Sequence, residues 1–519
     1  MQEEIKKAVD FVISEGARFA DIRLEKGYAT TLELRDGVFR EMSYGIDEGV
    51  GVRVLYKNSW GFSSSNELSK PRIKAAFEDA LRVGRALSLS KSESEKLKSE
   101  KLESEKSELE KKREEEAVKM AGAKPRSDHF KLKPKINPED VSVEEKKRLV
   151  KAAYKAATQH SPLVKSVSIL YLDGYEEKTY ADSEGCFVVT EMPAVFLRVR
   201  VVAKKGSVLQ EGVESVGAVA GFEVVAEEGE AAKGVAAKGV AAEGVAAEGN
   251  PEVVGVKAAD KAVRLLDAEQ PPAGEFPVIM DSKLTGVFMH EALGHAAEAD
   301  HVLCGESILK DKLGEQVAYE GLTVADDPTV AGSHGYYKYD DEGLRARRTE
   351  IIKNGVLVSY LHTRETAGRL EATPTANARA ADYSEVPLVR MSNTVVEAGS
   401  RAGAGRGWSF EEMLEGVRFG IYAKGMRGGQ VDTVRGEFQF SAEEAFLIEK
   451  GRLTKRLKNV SLSGRTLEVL KEIDAVGQEK KRGSIGFCGK DGQEVPVSEF
   501  APHVRVKRIL VGGAAAGGS

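Results

Sequence analysis

LTGVFMHEALGH, residues 284–295, decides how this chain is read. An apolar run leads into two histidines five residues apart, with an acid beside the first. In a zinc-peptidase helix the histidines stand at i and i+4, about 40° apart around the axis, and both reach one metal. At i and i+5 an ideal α-helix separates His290 from His295 by about 140°, so they point apart. A widened, π-type turn brings residue i+5 back under residue i, and such turns concentrate at functional sites. Gly294 lies inside the pair and weakens local helicity, so the spacing predicts a distorted turn at or near Gly294. The plain alternative is a pair of satisfied core histidines. Chance alone would place a His-acid-x-x-x-His pattern in this chain about 0.02 times.

Working outward, the strand FPVIMD (276–281) precedes this helix, and helix KAADKAVRLLDAEQ (257–270) precedes the strand. Beyond it, strand-like pairs and EKG turns give a rhythm of hairpins down to RVKRILV (505–511). The first part of the chain repeats the theme. An amphipathic helix ends at Gly16, short strands punctuated by KG, DG and Gly-rich turns follow, and a helix starts at Pro71. A second helix (142–159) precedes a strand-turn-strand meander through about residue 206. The expected fold is α+β, with two domains built on mostly antiparallel sheets with packed helices and the histidine motif on a helix of the C-terminal domain.

Two stretches interrupt this order. Residues 88–128 are rich in Lys, Glu and Ser, with Leu97, Leu102 and Leu109 too sparse for a heptad, and read as a solvated insertion. Residues 229–249 repeat Gly every five residues with side chains too small for a core, and read as a linker. The expected division is therefore 1–228, the linker 229–249, and 250–519.

The chain of 519 residues carries a net charge of -6, which gives no footprint for nucleic acid. No apolar run is long enough for a membrane span, and the acidic N-terminus is no signal peptide. Three cysteines cannot form a disulfide framework and suit a reducing cytoplasm. One of them could serve as a metal ligand. Candidates for a third ligand beside His290 and His295 are Glu298, the His301/Cys304 pair, and the distant Cys488 in GFCGKDG, expected to form a loop whose flanking glycines allow close approach to a metal. Cys186, in the apolar strand GCFVV, reads as a packing residue. The acid pairs of DDPT (326–329) and DDEG (340–343) read as turn caps, with a calcium-like use as the alternative.

HEALGHAAEAD, DDPT and DDEG, VRMSNT (389–394), GGQVD (428–432) and GFCGKDGQ…VPV, in this order, resemble the TldD/PmbA family, also called modulators of DNA gyrase. GVGVRVLYKNSWGFSSSNEL in the first part resembles it as well. The histidine motif marks the TldD-like, active type. The resemblance implies a zinc metalloprotease acting on unfolded or unstructured peptides, paired with a PmbA-like chain or with a second copy of itself. It implies that His290, His295 and Cys488 hold Zn2+, and that Glu291 is the catalytic glutamate, the general base on zinc-bound water. Glu298 and Asp300 would support the ligands from behind. Arg390, Asn393 and Tyr383 are candidate oxyanion helpers, with packing as the plainer role. The competing readings are a non-catalytic, metal-stabilised scaffold or regulatory subunit of a TldD/PmbA-type complex, and a zinc enzyme hydrolysing another amide. Glu291 beside His290 weighs against a scaffold, because a structural site needs no base.

Overall fold

The computed structural model describes residues 1–99, 117–226, 249–401 and 405–513. The centre of the charged stretch and nearly all of the Gly/Ala repeat lie outside these residues.

The first sheet is built from β1 (Ala17–Arg35), β2 (Val38–Tyr56), β3 (Ser59–Ser65), β4 (Ser127–Lys131), β5 (Val164–Asp182), β6 (Phe187–Lys205) and β7 (Val208–Ala218), in the order β3-β2-β1-β5-β6-β4 with β7 also on β6. Four of these strands run for 19 residues, where the sequence suggested shorter ones. The KG at 26–27 and the Gly-rich stretch at 45–51, expected to turn, lie within β1 and β2. The DG at 36–37 does turn, both residues taking positive φ. Gly27 and Gly174, by contrast, sit mid-strand on the neighbouring β1 and β5. A Cβ at Gly27 would stand 2.6 Å from the Tyr175 carbonyl oxygen, and one at Gly174 would stand 2.7 Å from that of Tyr28. These glycines permit close strand approach rather than reversal.

Helices α1 (Gln2–Ser14) and α2 (Lys70–Ser99) bury Ile5, Val9, Val12, Ile73 and Phe77 against Ile22 and Val52 of this sheet. Helices α3 (Val143–Gln159) and α4 (Pro251–Leu265) cover its other half, with Val150, Ala153, Val254 and Ala258 against Ile169 and Val199. The sequence reading placed α4 in the C-terminal domain, beyond the repeat. Its apolar stripe instead packs on the first sheet, because β6 and β7 offer an uncovered apolar face there. The charged stretch also ends in a buried contact: Val118 packs with Phe19 and Leu55.

The remaining chain forms two further sheets of six and seven strands and a short ribbon. One orders β11 (Val356–Leu357), β10 (Thr349–Lys353), β9 (Val324–Asp326), β14 (Asn393–Val396), β21 (Gln493–Ala501) and β20 (Lys481–Lys490). The other orders β15 (Phe419–Asp432), β8 (Gly274–Met280), β22 (Val504–Gly513), β18 (Val460–Arg465), β16 (Glu437–Glu449) and β17 (Arg452–Leu457), with β19 (Ile473–Val476) on β22. A two-stranded ribbon pairs β12 (Ala378–Arg379) with β13 (Leu388–Val389). Among the described residues only β4–β6, β8–β15 and β14–β21 pair in parallel, so the expected antiparallel character holds. Helix α5 (Ser282–Phe288) runs into the histidine segment, burying Leu284, Phe288, Met289 and Leu293 in the largest core of the molecule.

Buried charges join the first sheet to the rest, and DDEG supplies many of them. Asp341 lies 2.9 Å from Lys178, and Glu342 lies 3.2 Å from Arg53, which also pairs with Asp21. Arg364, fully buried, reaches Asp182 at 3.3 Å and Glu184 at 2.5 Å. Removing one partner of such a pair leaves a desolvated charge behind. Asp340 caps its own turn, accepting from the Glu342 and Leu344 backbone N–H groups. Among the described residues no helix is long and apolar enough to cross a membrane.

Candidate metal centre

Asp281 caps α5, its side chain accepting from the Leu284 N–H at 2.8 Å. The helix then widens into a π-helix over Met289–Gly294 and tightens into a 3-10 turn at His295–Ala297. The histidine rings consequently lie together edge to face, with centroids 5.4 Å apart. Gly294 has a second reason to lack a side chain: a Cβ there would overlap the Met391 sulfur.

Cys488 arrives from 193 residues further along the chain, with its Sγ 3.4 Å from His295 Nε2. It lies within strand β20, opposite Val495, rather than in the loop that the flanking glycines suggested. The reversal is made by Asp491 and Gly492, both at positive φ. One donor atom from each of His290, His295 and Cys488 lies within 4.8 Å of the others.

Each histidine is oriented from behind. His290 Nδ1 lies 3.1 Å from the Thr394 hydroxyl and His295 Nδ1 lies 3.1 Å from Glu298 Oε2. These bonds direct the Nε2 atoms toward Cys488. Lys490 closes the layer, donating to Glu298 at 3.1 Å and to Asp300 at 2.7 Å. Arg390 is fully buried and donates to the Cys488 carbonyl oxygen, fixing the strand that carries the thiol. Thr394, Lys490 and Arg390 thus belong to the site; no local sequence signal marks the first two.

Burial alone would raise the Cys488 thiol, but His290 and His295 hold it at about 4. Burial would lower His290, and Cys488 lifts it to about 9. Burial would likewise raise Glu298, yet His295 and Lys490 hold it near 2. Because Glu298 titrates below its ordinary value of 4.5, the stability it contributes is complete above that pH and is lost as pH falls toward 2. Replacing it, as Glu298→Gln, should weaken metal affinity by roughly 10- to 100-fold through loss of the imidazole–carboxylate bond. Competition against a graded series of chelators reads this directly.

Glu291 projects at the rim, about a third exposed, with Oε2 3.8 Å from His295 Nε2. A second carboxyl group, Glu499, approaches from β21 and pairs across the sheet with Thr394. It is buried, and its Oε2 has no hydrogen-bond partner among the described residues. Burial pushes it up to about 7, with His290 opposing that rise. No local pattern in VPVSEF singles it out. Gly286 of α5 makes room for Glu499, since a Cβ there would overlap the Glu499 Cβ. Gly286→Ala should therefore cost about 1–3 kcal/mol by overpacking, read as a lowered denaturant midpoint at unchanged m-value.

The other candidates have different placements. Glu298, Asp300 and His301 cluster behind the histidines, where Lys490 already supplies the positive charge. Cys304 is exposed, and Cys186 is buried among Tyr180, Val188 and Tyr339. Asn393 accepts from the Gly335 N–H and the Ser498 hydroxyl, and Tyr383 reaches Asp47 of the first sheet at 3.3 Å. Asp326 accepts from Ser392 and Asn377.

Profiles of the PmbA/TldA metallopeptidase match in three consecutive pieces: domain 1 at residues 20–84, the central domain at 136–266 and the C-terminal domain at 273–513. A metalloprotease of Methanocaldococcus jannaschii is 42% identical, covering 94% of this chain and 95% of its own. A zinc metalloprotease TldD homolog of Saccharolobus solfataricus is 29% identical, covering 99% and 100%. In fold, the crystal structure of TldE from Thermococcus kodakarensis superposes with a TM-score of 0.71 at 18% identity, covering 98% and 100%. Its sequence relatives and the matching profiles define the chain as a metalloprotease. The chain belongs to the PmbA/TldD family.

Proposed function

We propose that His290, His295 and Cys488 hold one zinc ion and that Glu291 is the general base for hydrolysis of peptide bonds in unstructured chains. The observation carrying this reading is the convergence of three donors beside a carboxylate at the rim. Bonds of about 2.0–2.3 Å to a shared tetrahedral centre place a nitrogen and a sulfur donor about 3.6 Å apart, close to the 3.4 Å between His295 and Cys488. Two neutral imidazoles and one thiolate suit zinc and leave a coordination position open. The relative from Saccharolobus solfataricus carries zinc in its name. When bound, zinc supplies Lewis acidity to the scissile carbonyl and to the attacking water.

This chain's own residues do the rest. Thr394 and Glu298 keep both rings turned with Nε2 toward the thiol. Glu291, at the solvent-facing rim, takes a proton at its carboxylate from the attacking water and returns it to the leaving amine. An extended peptide could align by adding to an open sheet edge, which recognises backbone before side chain. The likeness in fold to TldE supports a working unit with a PmbA-like partner, with a homodimer as the alternative; we place it in the cytoplasm. Purified chain should contain about one zinc per molecule and cleave casein, alone or with a PmbA-like partner. Zinc-free protein that cleaves equally well would end this reading.

A further inference from the structure

A cavity of about 690 Å³ opens between the first sheet and strand β20, which carries Cys488 further along. Seven of its lining side chains are arginine or lysine and three are glutamate. Each glutamate is already paired with a lysine or arginine of the same wall at 2.5–3.0 Å. A net positive charge is left over.

Arg198 concentrates that excess. It is half-buried on β6, rests 5.1 Å above the Phe196 ring, and makes no ion pair among the described residues. Burial lowers the affinity of its guanidinium for its proton, and only Glu494, beyond ion-pair distance, acts the other way. Arg482 faces the same cavity and donates to the Gly217 carbonyl oxygen at 2.6 Å. Behind both lies buried His334, with neither ring nitrogen hydrogen-bonded among the described residues. Burial first, then the charges of Arg482, Arg379 and Arg198, push His334 down to about 3. A partly desolvated guanidinium without a carboxylate is costly, and an incoming anion relieves the cost.

The place of the cavity says which anion. β20 and β7 both end their sheets, and both line it. Ile485 of the cavity wall is three residues before Cys488 on β20, about 10 Å along an extended strand. A peptide lying alongside β20 with its scissile bond at the metal centre would hold a side chain over the cavity about three to four residues away.

Resting on the proteolytic reading above, we propose that this cavity is a carboxylate subsite, so that the enzyme prefers peptides with an acidic group three to four residues from the cleaved bond. The carboxylate has two possible sources, an acidic side chain or the peptide's own C-terminus.

The test measures binding, so it does not depend on turnover. Fluorescein-labelled unstructured ten-residue peptides, C-terminally amidated and carrying Gln or a single Glu at successive positions, are titrated by anisotropy against the zinc-loaded, full-length Glu291→Ala chain. The Glu peptide should bind about tenfold more tightly at the favoured position, as one charge-assisted contact allows. Arg198→Gln in the same chain should bring the ratio below about twofold, while Arg198→Lys keeps part of it. If neither variant folds, the parent's ratio decides, since it should fall toward one as salt rises to about 0.5 M. A non-amidated Gln peptide that gains the same tenfold identifies the C-terminus as the source and indicates trimming from chain ends. Equal affinities for Glu, Gln and free-terminus peptides, or a ratio that Arg198→Gln leaves intact, would overturn the subsite. Cleavage of Glu and Gln peptides alike by the wild type would remove the subsite and leave the protease. A Glu preference in binding with no cleavage by the wild type would do the reverse.

Discussion

Glu291→Ala should retain one zinc per chain and lose casein cleavage by roughly 10³-fold. The two halves of this expectation have different physical origins. Glu291 is not among the three converging donors, and its side chain stands at the exposed rim 3.8 Å from the His295 ring. Truncating it removes no donor and opens no cavity in the core, so stability should change by less than about 0.5 kcal/mol. Its loss does remove the group that accepts the water's proton, and general-base catalysis commonly contributes 10²–10⁴ in rate. Glu499 lies near, but its carboxyl is buried, away from the exposed rim at which Glu291 stands. Zinc analysis beside an initial-rate assay separates the effects. A variant that still cleaves at the wild-type rate would reject Glu291 as the base.

The second large effect is expected from the donors. Cys488→Ser and His295→Ala should each lose zinc during dialysis and fall to background in cleavage. Cys488 carries the only sulfur of the set, and serine offers a harder, weakly acidic oxygen in place of a thiolate held near pH 4 by two imidazoles. His295→Ala removes a donor and also leaves Glu298, buried against Lys490, without its imidazole partner. Both variants should therefore also melt earlier than wild type in the presence of added zinc, because binding to the folded state stabilises it by mass action. Metal-free wild type and metal-free Cys488→Ser should melt close together. A large gap between them in the absence of zinc would assign Cys488 a packing role instead.

Spacing alone made the central distortion legible: histidines at i and i+5 cannot share a centre on an ideal helix, and the π-helix over Met289–Gly294 resolves this. The placement of Cys488 was legible only through a resemblance, since nothing local ties GFCGKDG to a helix 193 residues earlier. Thr394, Lys490 and Glu499 were not legible, because each acquires its place through strand pairing or side-chain contacts between distant segments. The mostly antiparallel layers followed from helices leading into strand-turn-strand meanders and from the rhythm of hairpins. Strand lengths did not, since a glycine that turns the chain and one that lets two strands approach look alike until both neighbours are known. Helix α4 shows the same limit: its apolar stripe predicts burial but not the sheet that buries it.

X-ray absorption at the zinc edge, recorded on the purified full-length chain, tests the central claim most directly. Two nitrogen donors near 2.0 Å and a single sulfur near 2.3 Å are expected, and the sulfur shell should vanish in any zinc retained by Cys488→Ser. A spectrum without sulfur, or one with three or four sulfurs, would contradict the assignment of His290, His295 and Cys488 as the metal centre.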